Sequence, residues 1–233
     1  MKNKVLFSIF MVVALFMRAQ EVQEQKPFKN TGITIYPFGM SFLKNNQFQK
    51  SLQKNGIDID IPKMFFYTHL KVIPIDFGQF GLFSVDVGME GNNKKTNAYF
   101  SRLFAIFGTI EYLFPIVEDK KIRLFPSVGM EYSFTKFEYY TLDDNPISSQ
   151  NLFLVKDGSV NLSQSNHWSA LIGLYLNYYF FEKQGVSLFA KYRIPLKKNN
   201  DNWKVANTDR IVTDLNKYIP NHFIFGVGYV FVF

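Results

Sequence analysis

Cysteine is absent from these 233 residues. Its absence removes disulfides, thiolate metal sites and cysteine nucleophiles together. Histidine is scarce: His69, His167 and His222 are too scattered for a metal-ligand spacing. Asp143-Asp144-Asn145 lacks the rest of a calcium loop, and there is no glycine-rich phosphate loop. Beyond the first twenty residues, no stretch reaches the ~18 continuous apolar residues of a membrane helix. The net charge of +7 falls to about +4 without Lys2, Lys4 and Arg18. No basic cluster has a nucleic-acid fold signature, so nucleic acid is not an expected partner. No cofactor and no metal is implied.

Aromatic side chains are abundant, with 27 Phe and 13 Tyr. They demand much apolar contact in a chain with no membrane-length hydrophobic helix. Strands with one face toward lipid supply that contact without raising average hydropathy, since their other face stays polar. The last thirteen residues, NHFIFGVGYVFVF, show the pattern at its clearest. Phe223, Phe225, Val227, Tyr229, Phe231 and Phe233 share one face, opposite Ile224, Gly226, Gly228, Val230 and Val232. A bare apolar edge of this kind is an aggregation hazard in water. In a closed membrane barrel the edges are paired and lipid covers the apolar face.

The amino-terminal end agrees. Lys2 and Lys4 precede an apolar run from Val5 to Met17, then Arg18-Ala19-Gln20. About thirteen residues are too few to span a bilayer at ~20 residues, but they suit the core of a signal peptide. The expected organisation is a signal peptide at 1–19, a short periplasmic segment at 20–30 and a barrel domain at 31–233. No cysteine follows the run, so a lipoprotein anchor is not expected.

Eight strands are predicted, at about 31–43, 63–74, 79–90, 99–115, 121–138, 166–181, 185–195 and 221–233. The connections alternate in length: 45–62, 139–165 and 196–220 are long and 91–98 moderate, while 74–77, 115–120 and 182–184 are short. Long loops at one end and short turns at the other describe an antiparallel up-and-down transmembrane barrel. With the amino terminus in the periplasm, the long loops face outside. Within 121–135, Ile122, Leu124, Val128, Met130, Tyr132 and Phe134 oppose Arg123, Ser127, Gly129, Glu131, Ser133 and Thr135. The strands at 166–181 and 185–195 divide the same way. Aromatics collect near strand ends, at Tyr112, Phe114, Tyr178, Phe180, Phe231 and Phe233, as an interfacial girdle requires. Only the first strand is mixed on both faces.

Val87-Gly88-Met89-Glu90 recurs as Val128-Gly129-Met130-Glu131, and Gly173 and Gly228 repeat the apolar-Gly-apolar part. By phase these glycines point inward, making room for neighbours such as Tyr175, Tyr179 and Phe125. The alternative is that they mark bulges. On the alternating strands and the terminal Gly226–Phe233, the chain resembles the small OmpA/OmpX-type outer-membrane β-barrels of Gram-negative bacteria. The resemblance implies an eight-stranded barrel in the outer membrane. It also implies that Tyr229, Phe231 and Phe233 form the aromatic carboxy-terminal signal read by the assembly machinery. Structural anchors, adhesion proteins, narrow channels and lipid-modifying enzymes share this build, so function must come from particular residues.

Inward by phase lie Lys71, Asp86, Glu90, Glu111, Arg123, Glu131, Lys191 and Arg193, with His69 nearby. Four acids against four bases in a narrow lumen predict paired side chains that close it. A conducting lumen that uses these charges is the alternative. His167-Trp168-Ser169 is similar to the His-x-Ser element of outer-membrane lipid A deacylases. Here, however, the pair shares the polar face, and Glu138 points to the opposite one. Trp203 is expected to be exposed in the basic loop at 196–220. The expected protein is a monomeric, non-enzymatic barrel presenting long extracellular loops. Its expected partners are outer-membrane lipids, lipopolysaccharide and the assembly machinery.

Overall fold

The alternating carboxy-terminal segment closes a ring. In the computed structural model, strand β11 (His222–Val232) pairs antiparallel with β8 (Gln184–Pro195) on one side and with β1 (Gly32–Leu43) on the other, in the register Gly32 to Val232. The structure describes residues 30–43, 47–55, 59, 61, 63–141, 159–196, 203–205, 211–212 and 222–233. The expected signal peptide lies outside these residues, as do 20–29.

From β1 the ring continues through β2 (Met64–Asp76), β3 (Leu82–Lys95), β4 (Tyr99–Leu113), β6 (Ile122–Thr141) and β7 (Ser159–Phe181) back to β8. Every neighbouring pair is antiparallel, giving a closed eight-stranded up-and-down barrel. Among the described residues, three short strands lie outside the ring. β5 (Val117–Glu118) pairs with the start of β6, and β9 (Trp203–Val205) joins the upper part of β7. β10 (Ile211–Val212) pairs with β9. Helix α1 (Gln47–Lys54) lies between β1 and β2.

The two faces separate as the period-2 pattern predicts. Val87, Met89, Ile106, Ile110, Val128, Met130, Ile172, Leu174 and Leu188 stand exposed on the outer wall, among many others. No water-soluble barrel leaves such a continuous hydrocarbon surface bare, whereas a bilayer covers it. Around the end with the short turns, rings gather: Tyr112 with Phe114 at 4.9 Å, Tyr229 with Phe231 at 4.5 Å, and Phe180 with Tyr229 at 5.9 Å.

Two bulges explain where the alternation misleads. β1 carries one extra residue between Ile35 and Phe38, seen against both β11 and β2. Before it, Gly32, Thr34 and Tyr36 face inward; after it, Gly39 and Ser41 do. The mixed faces of the first strand are thus two clean half-strands out of phase, with Pro37 at the break, where a missing N–H is tolerated. The carbonyl of Tyr36 accepts a hydrogen bond from the Thr68 hydroxyl at 2.9 Å. β7 likewise carries one extra residue between Gln164 and His167.

Several boundaries are corrected. Residues 79–80 belong to a single 3-10 turn, Gly78–Phe80, so β3 starts at Leu82 and then runs on to Lys95. The expected long loop at 139–165 begins and ends as strand, because β6 extends to Thr141 and β7 starts at Ser159. With 20 and 23 residues, β6 and β7 far exceed the ~9–11 residues a tilted membrane strand needs. They therefore rise well above the apolar band at the loop end.

Candidate functional site: the filled lumen

Inward-facing positions of a narrow barrel share one small volume, and here they are stacked in layers. At the turn end, Asn30 acts as a cap. Its backbone N–H donates to Asp76 Oδ2 at 2.9 Å, and its side-chain amide donates to Glu118 Oε1 at 2.8 Å. Arg123 Nη1 donates to Asn30 Oδ1 at 2.6 Å, with its guanidinium 4.3 Å above the Tyr179 ring. Glu118 lies on β5, outside the ring of spanning strands. Partial burial holds its carboxyl above the usual glutamate range, against the Asn30 hydrogen bond, with the Asp76 carboxylate adding to the rise and Arg123 opposing it.

The next layer is an ion-pair quartet built by β2, β3, β4 and β8. Lys71 Nζ lies 2.7 Å from Glu111 Oε2 and 3.7 Å from Asp86 Oδ1. Lys191 Nζ meets the same two acids, at 3.0 Å from Glu111 Oε1 and 3.1 Å from Asp86 Oδ2. Lys71 and Asp86 are direct cross-strand neighbours, which fixes one edge of the square. The Tyr175 hydroxyl donates to Glu111 Oε2 at 2.5 Å, and Lys71 Nζ sits 3.5 Å from the centre of that ring. All four charged side chains are essentially inaccessible. A lone charge there would cost several kcal/mol, so the pairing is what allows these residues inside.

Aromatic rings separate this quartet from a second ion group. His69 stacks on Tyr36, with centroids 4.2 Å apart and planes 9° from parallel, and Phe189 meets both edge-on. Tyr67 stacks on Phe107 at 4.8 Å. Beyond them Arg193 grips two acids. Nη1 donates to Glu90 Oε1 at 2.9 Å and Nη2 to Glu131 Oε2 at 2.9 Å, while Nε lies 2.8 Å from Glu131 Oε1. Ser41 Oγ donates to the other Glu90 oxygen at 3.0 Å.

The glycines permit this filling, with different neighbours from those expected. A Cβ on Gly88 would stand 2.5 Å from Phe107 Cζ, and one on Gly228 would stand 2.5 Å from Tyr36 Cδ1. On Gly129 it would meet Glu111 Cγ at 2.7 Å, and on Gly173 Ser127 Oγ at 2.6 Å. Gly88, Gly129 and Gly173 lie in unbroken register and so mark close approach, whereas Gly228 stands opposite the β1 bulge.

The loop end is closed by an apolar cluster. Phe48 and Leu52 of α1, with Ile59 and Ile61, pack on Phe65, Leu103, Phe137 and Leu162 of the wall. Trp203 completes the cluster, stacked on Phe48 at 4.6 Å. The exposure expected of Trp203 is therefore wrong: the residue is wholly buried. Pairing of β9 with β7 lays its segment against the wall, and α1 supplies the ring above it.

Of the eight charges read from strand phase, seven meet in the two ion groups. Arg123 sits apart, with Asn30 at the turn end. Asn30, Asp76 and Glu118 were not singled out by sequence, because all three lie at strand ends or in a turn where no face is defined. His167 and Ser169 are both buried in the lumen. Glu138 stands on the outer wall, 2.8 Å from Lys136. Among the described residues, no three His, Asp or Glu side chains gather in a way that could hold a metal ion.

No protein-family model matches the chain, and no curated protein matches it. Among solved structures it is similar to Ail, the attachment invasion locus protein of Yersinia pestis, at 14% identity and a TM-score of 0.47, covering 86% of this chain and 97% of that one. A major outer membrane protein from Thermus thermophilus gives 11% identity and 0.49, over 88% and 100% of the two chains. The outer membrane protein OprG from Pseudomonas aeruginosa gives 10% and 0.45, over 89% and 98%. At these identities the likeness is one of architecture.

Proposed function

We propose that this chain is an outer-membrane β-barrel whose lumen is shut by its own side chains and whose working surface is the loop end. One observation carries the reading: every inward carboxylate of the two ion groups is held directly by a lysine or arginine, at 2.7–3.1 Å. Charges arranged for transport stay hydrated and exchange partners, whereas these are locked to one another between aromatic layers. The polar cap at the turn end and the apolar cluster at the loop end support the same closure. The short turns and both ends of the barrel chain belong in the periplasm, and the extended β6–β7 hairpin stands outside the cell. The role is structural or one of surface interaction, by a monomer in contact with outer-membrane lipids. Tyr229, Phe231 and Phe233, all on the outer face, would be read by the assembly machinery.

A narrow conducting path is the second reading. Thr109, Glu131 and Ser169 are successive cross-strand neighbours on β4, β6 and β7. The hydroxyls of Thr109 and Ser169, with Ser127 and Ser133 on the same wall, hydrogen-bond to no other described group. Such a wall could carry a file of water beside the ion pairs. The hydrolase reading has less support, because Ser169 faces the lumen instead of lipid.

Single-channel recording of the folded protein in planar bilayers separates the first two readings. Closure predicts silence from the wild type. Steady conductance that changes in Glu131→Gln and Lys191→Met would overturn closure and make the barrel a small pore.

A further inference from the structure

The outer wall is not uniform. At the loop end of β1–β4 it holds a groove of 330 Å³, at the lower end of the about 300–1,000 Å³ usual for ligand sites. Its walls are Phe38, Phe66, Met89 and Phe104, all facing out of the barrel. Its floor is Gly91, which lies between Phe66 and Phe104 in cross-strand register. A Cβ on Gly91 would stand 2.8 Å from Phe104 Cβ, so any other residue there would crowd the floor. The β1 bulge puts Pro37 and Phe38 side by side on the outer face and leaves the Phe38 ring 73% exposed at the groove's edge.

The end of the groove nearest the β3–β4 hairpin changes character. Asn93 and Arg102 are cross-strand partners, both exposed and both lining it. The Arg102 guanidinium lies 4.7 Å from the Phe104 ring centre, which aims it along the aromatic wall. Lys95 is on the same outward face two residues on, and Lys136 stands opposite Phe104. Among the described residues the acid of the rim is Glu138, the cross-strand partner of Arg102, and it is engaged by Lys136 at 2.8 Å. An apolar slot in a lipid-facing wall thus ends in a net positive rim. The hydrocarbon belt continues below it, and strand that rises above the membrane lies beyond it.

We propose that the groove is a binding site for one lipid A molecule of the outer leaflet. An acyl chain lies over Gly91 between Phe66 and Phe104, and a glucosamine-linked phosphate is held by Arg102 with Asn93. Acylated phosphate is the chemistry the site recognises. Lipid A is the source because the rim lies at the loop end, placed outside the cell, with three bases facing one engaged acid. A phosphate with several strong acceptors suits a guanidinium that can donate two parallel hydrogen bonds. The site rests on the proposed placement in the outer membrane and is independent of whether the lumen conducts.

The test is native mass spectrometry of the folded barrel, released from detergent after incubation with lipid A, with dephosphorylated lipid A or with phosphatidylglycerol. Folding into liposomes, read by heat-modifiable migration on gels, is checked first. A chain that fails to fold there overturns the membrane placement, and the site with it. The expected result is one retained lipid A, weakened about tenfold in Arg102→Gln, the order of one charge-assisted contact. Phe66→Ala should weaken retention too, and Arg102→Gln keeps the test valid should that variant fold poorly. Equal retention by wild type and Arg102→Gln, or of the dephosphorylated lipid, overturns the phosphate site. Equal retention of phosphatidylglycerol overturns the assignment to lipid A. A folded wild type that retains no lipid overturns the groove while leaving the placement intact.

Discussion

The indole of Trp203 lies over the ring of Phe48, with centroids 4.6 Å apart and planes 28° from parallel. One residue comes from the chain between β8 and β11, the other from the helix between β1 and β2. Two connections far apart in sequence are therefore fastened to each other above the lumen. Trp203→Ala should cost about 3 kcal/mol, the usual scale for removing a buried Trp, and should loosen the 44–63 connection. Urea unfolding in liposomes measures the first effect. Faster protease cleavage within 44–63, with the strands still protected, measures the second.

Arg193 serves two carboxylates, so the members of its group should not be equally dispensable. Arg193→Met strands Glu90 and Glu131 together in a dry interior, and the expected loss is about 3–5 kcal/mol. Glu131→Gln removes one of two acids sharing the guanidinium, and about 1 kcal/mol is expected. Combining Arg193→Met with Glu90→Gln and Glu131→Gln should recover much of the loss. Additive losses across the three substitutions, measured by urea unfolding, would show that the charges act independently.

Glu118 gives a pH dependence whose sign can be worked out. Its folded carboxyl holds the proton more tightly than the unfolded one, so the folded state binds more protons over the interval between the two values. Stability therefore falls as pH rises from the ordinary glutamate range through the raised folded value. Glu118→Gln should flatten that part of the profile and leave the barrel no less stable at neutral pH. Thermal unfolding of both proteins between pH 4 and pH 8 is the measurement. A steeper profile in the variant would contradict the assignment.

Phe233 is 64% exposed, and its backbone N–H donates to Thr31 O at 3.0 Å. Phe233→Ser keeps that hydrogen bond. Folding into liposomes should therefore change little, while accumulation in the membrane of living cells should fall several-fold if the terminal aromatic is a recognition element. Comparing the two assays separates recognition from stability; an equal loss in both would assign the residue to stability alone.

Most of the wall was legible because period 2 is imposed by the strand itself, and lipid outside makes most outward positions apolar. Legibility failed where one of these conditions lapsed. At Pro37 and between Gln164 and His167 a bulge reverses the phase, so a correct local pattern points to the wrong face. Above the membrane the outward side chains of β6 and β7 include Lys136, Glu138, Asn161 and Ser163, and water-facing strand there resembles loop. The lumenal charges were readable by phase, but their partners were not. Lys71 meeting Glu111, or Arg193 meeting Glu90, depends on register and shear across strands that no single segment encodes. Trp203 misled for a related reason: its neighbours in sequence are polar, while its neighbours in space come from α1 and β10.

The four carboxylates of the ion groups lie on β3, β4 and β6, whereas Lys191 and Arg193 both lie on β8. Read in the order of synthesis, the two ion groups are acidic until near their end, with Lys71 their lone early counterion, since Arg123 is engaged by Asn30 at the turn end. A chain cut short before β8 would leave the two ion groups with four acids against one base and β1 without its second mate. Such a fragment has nothing to gain from curling into a ring, because curling would bury repulsion. Closure and neutrality therefore arrive together, and the placement of two cations on a late strand makes completeness of the chain a condition for becoming a barrel at all.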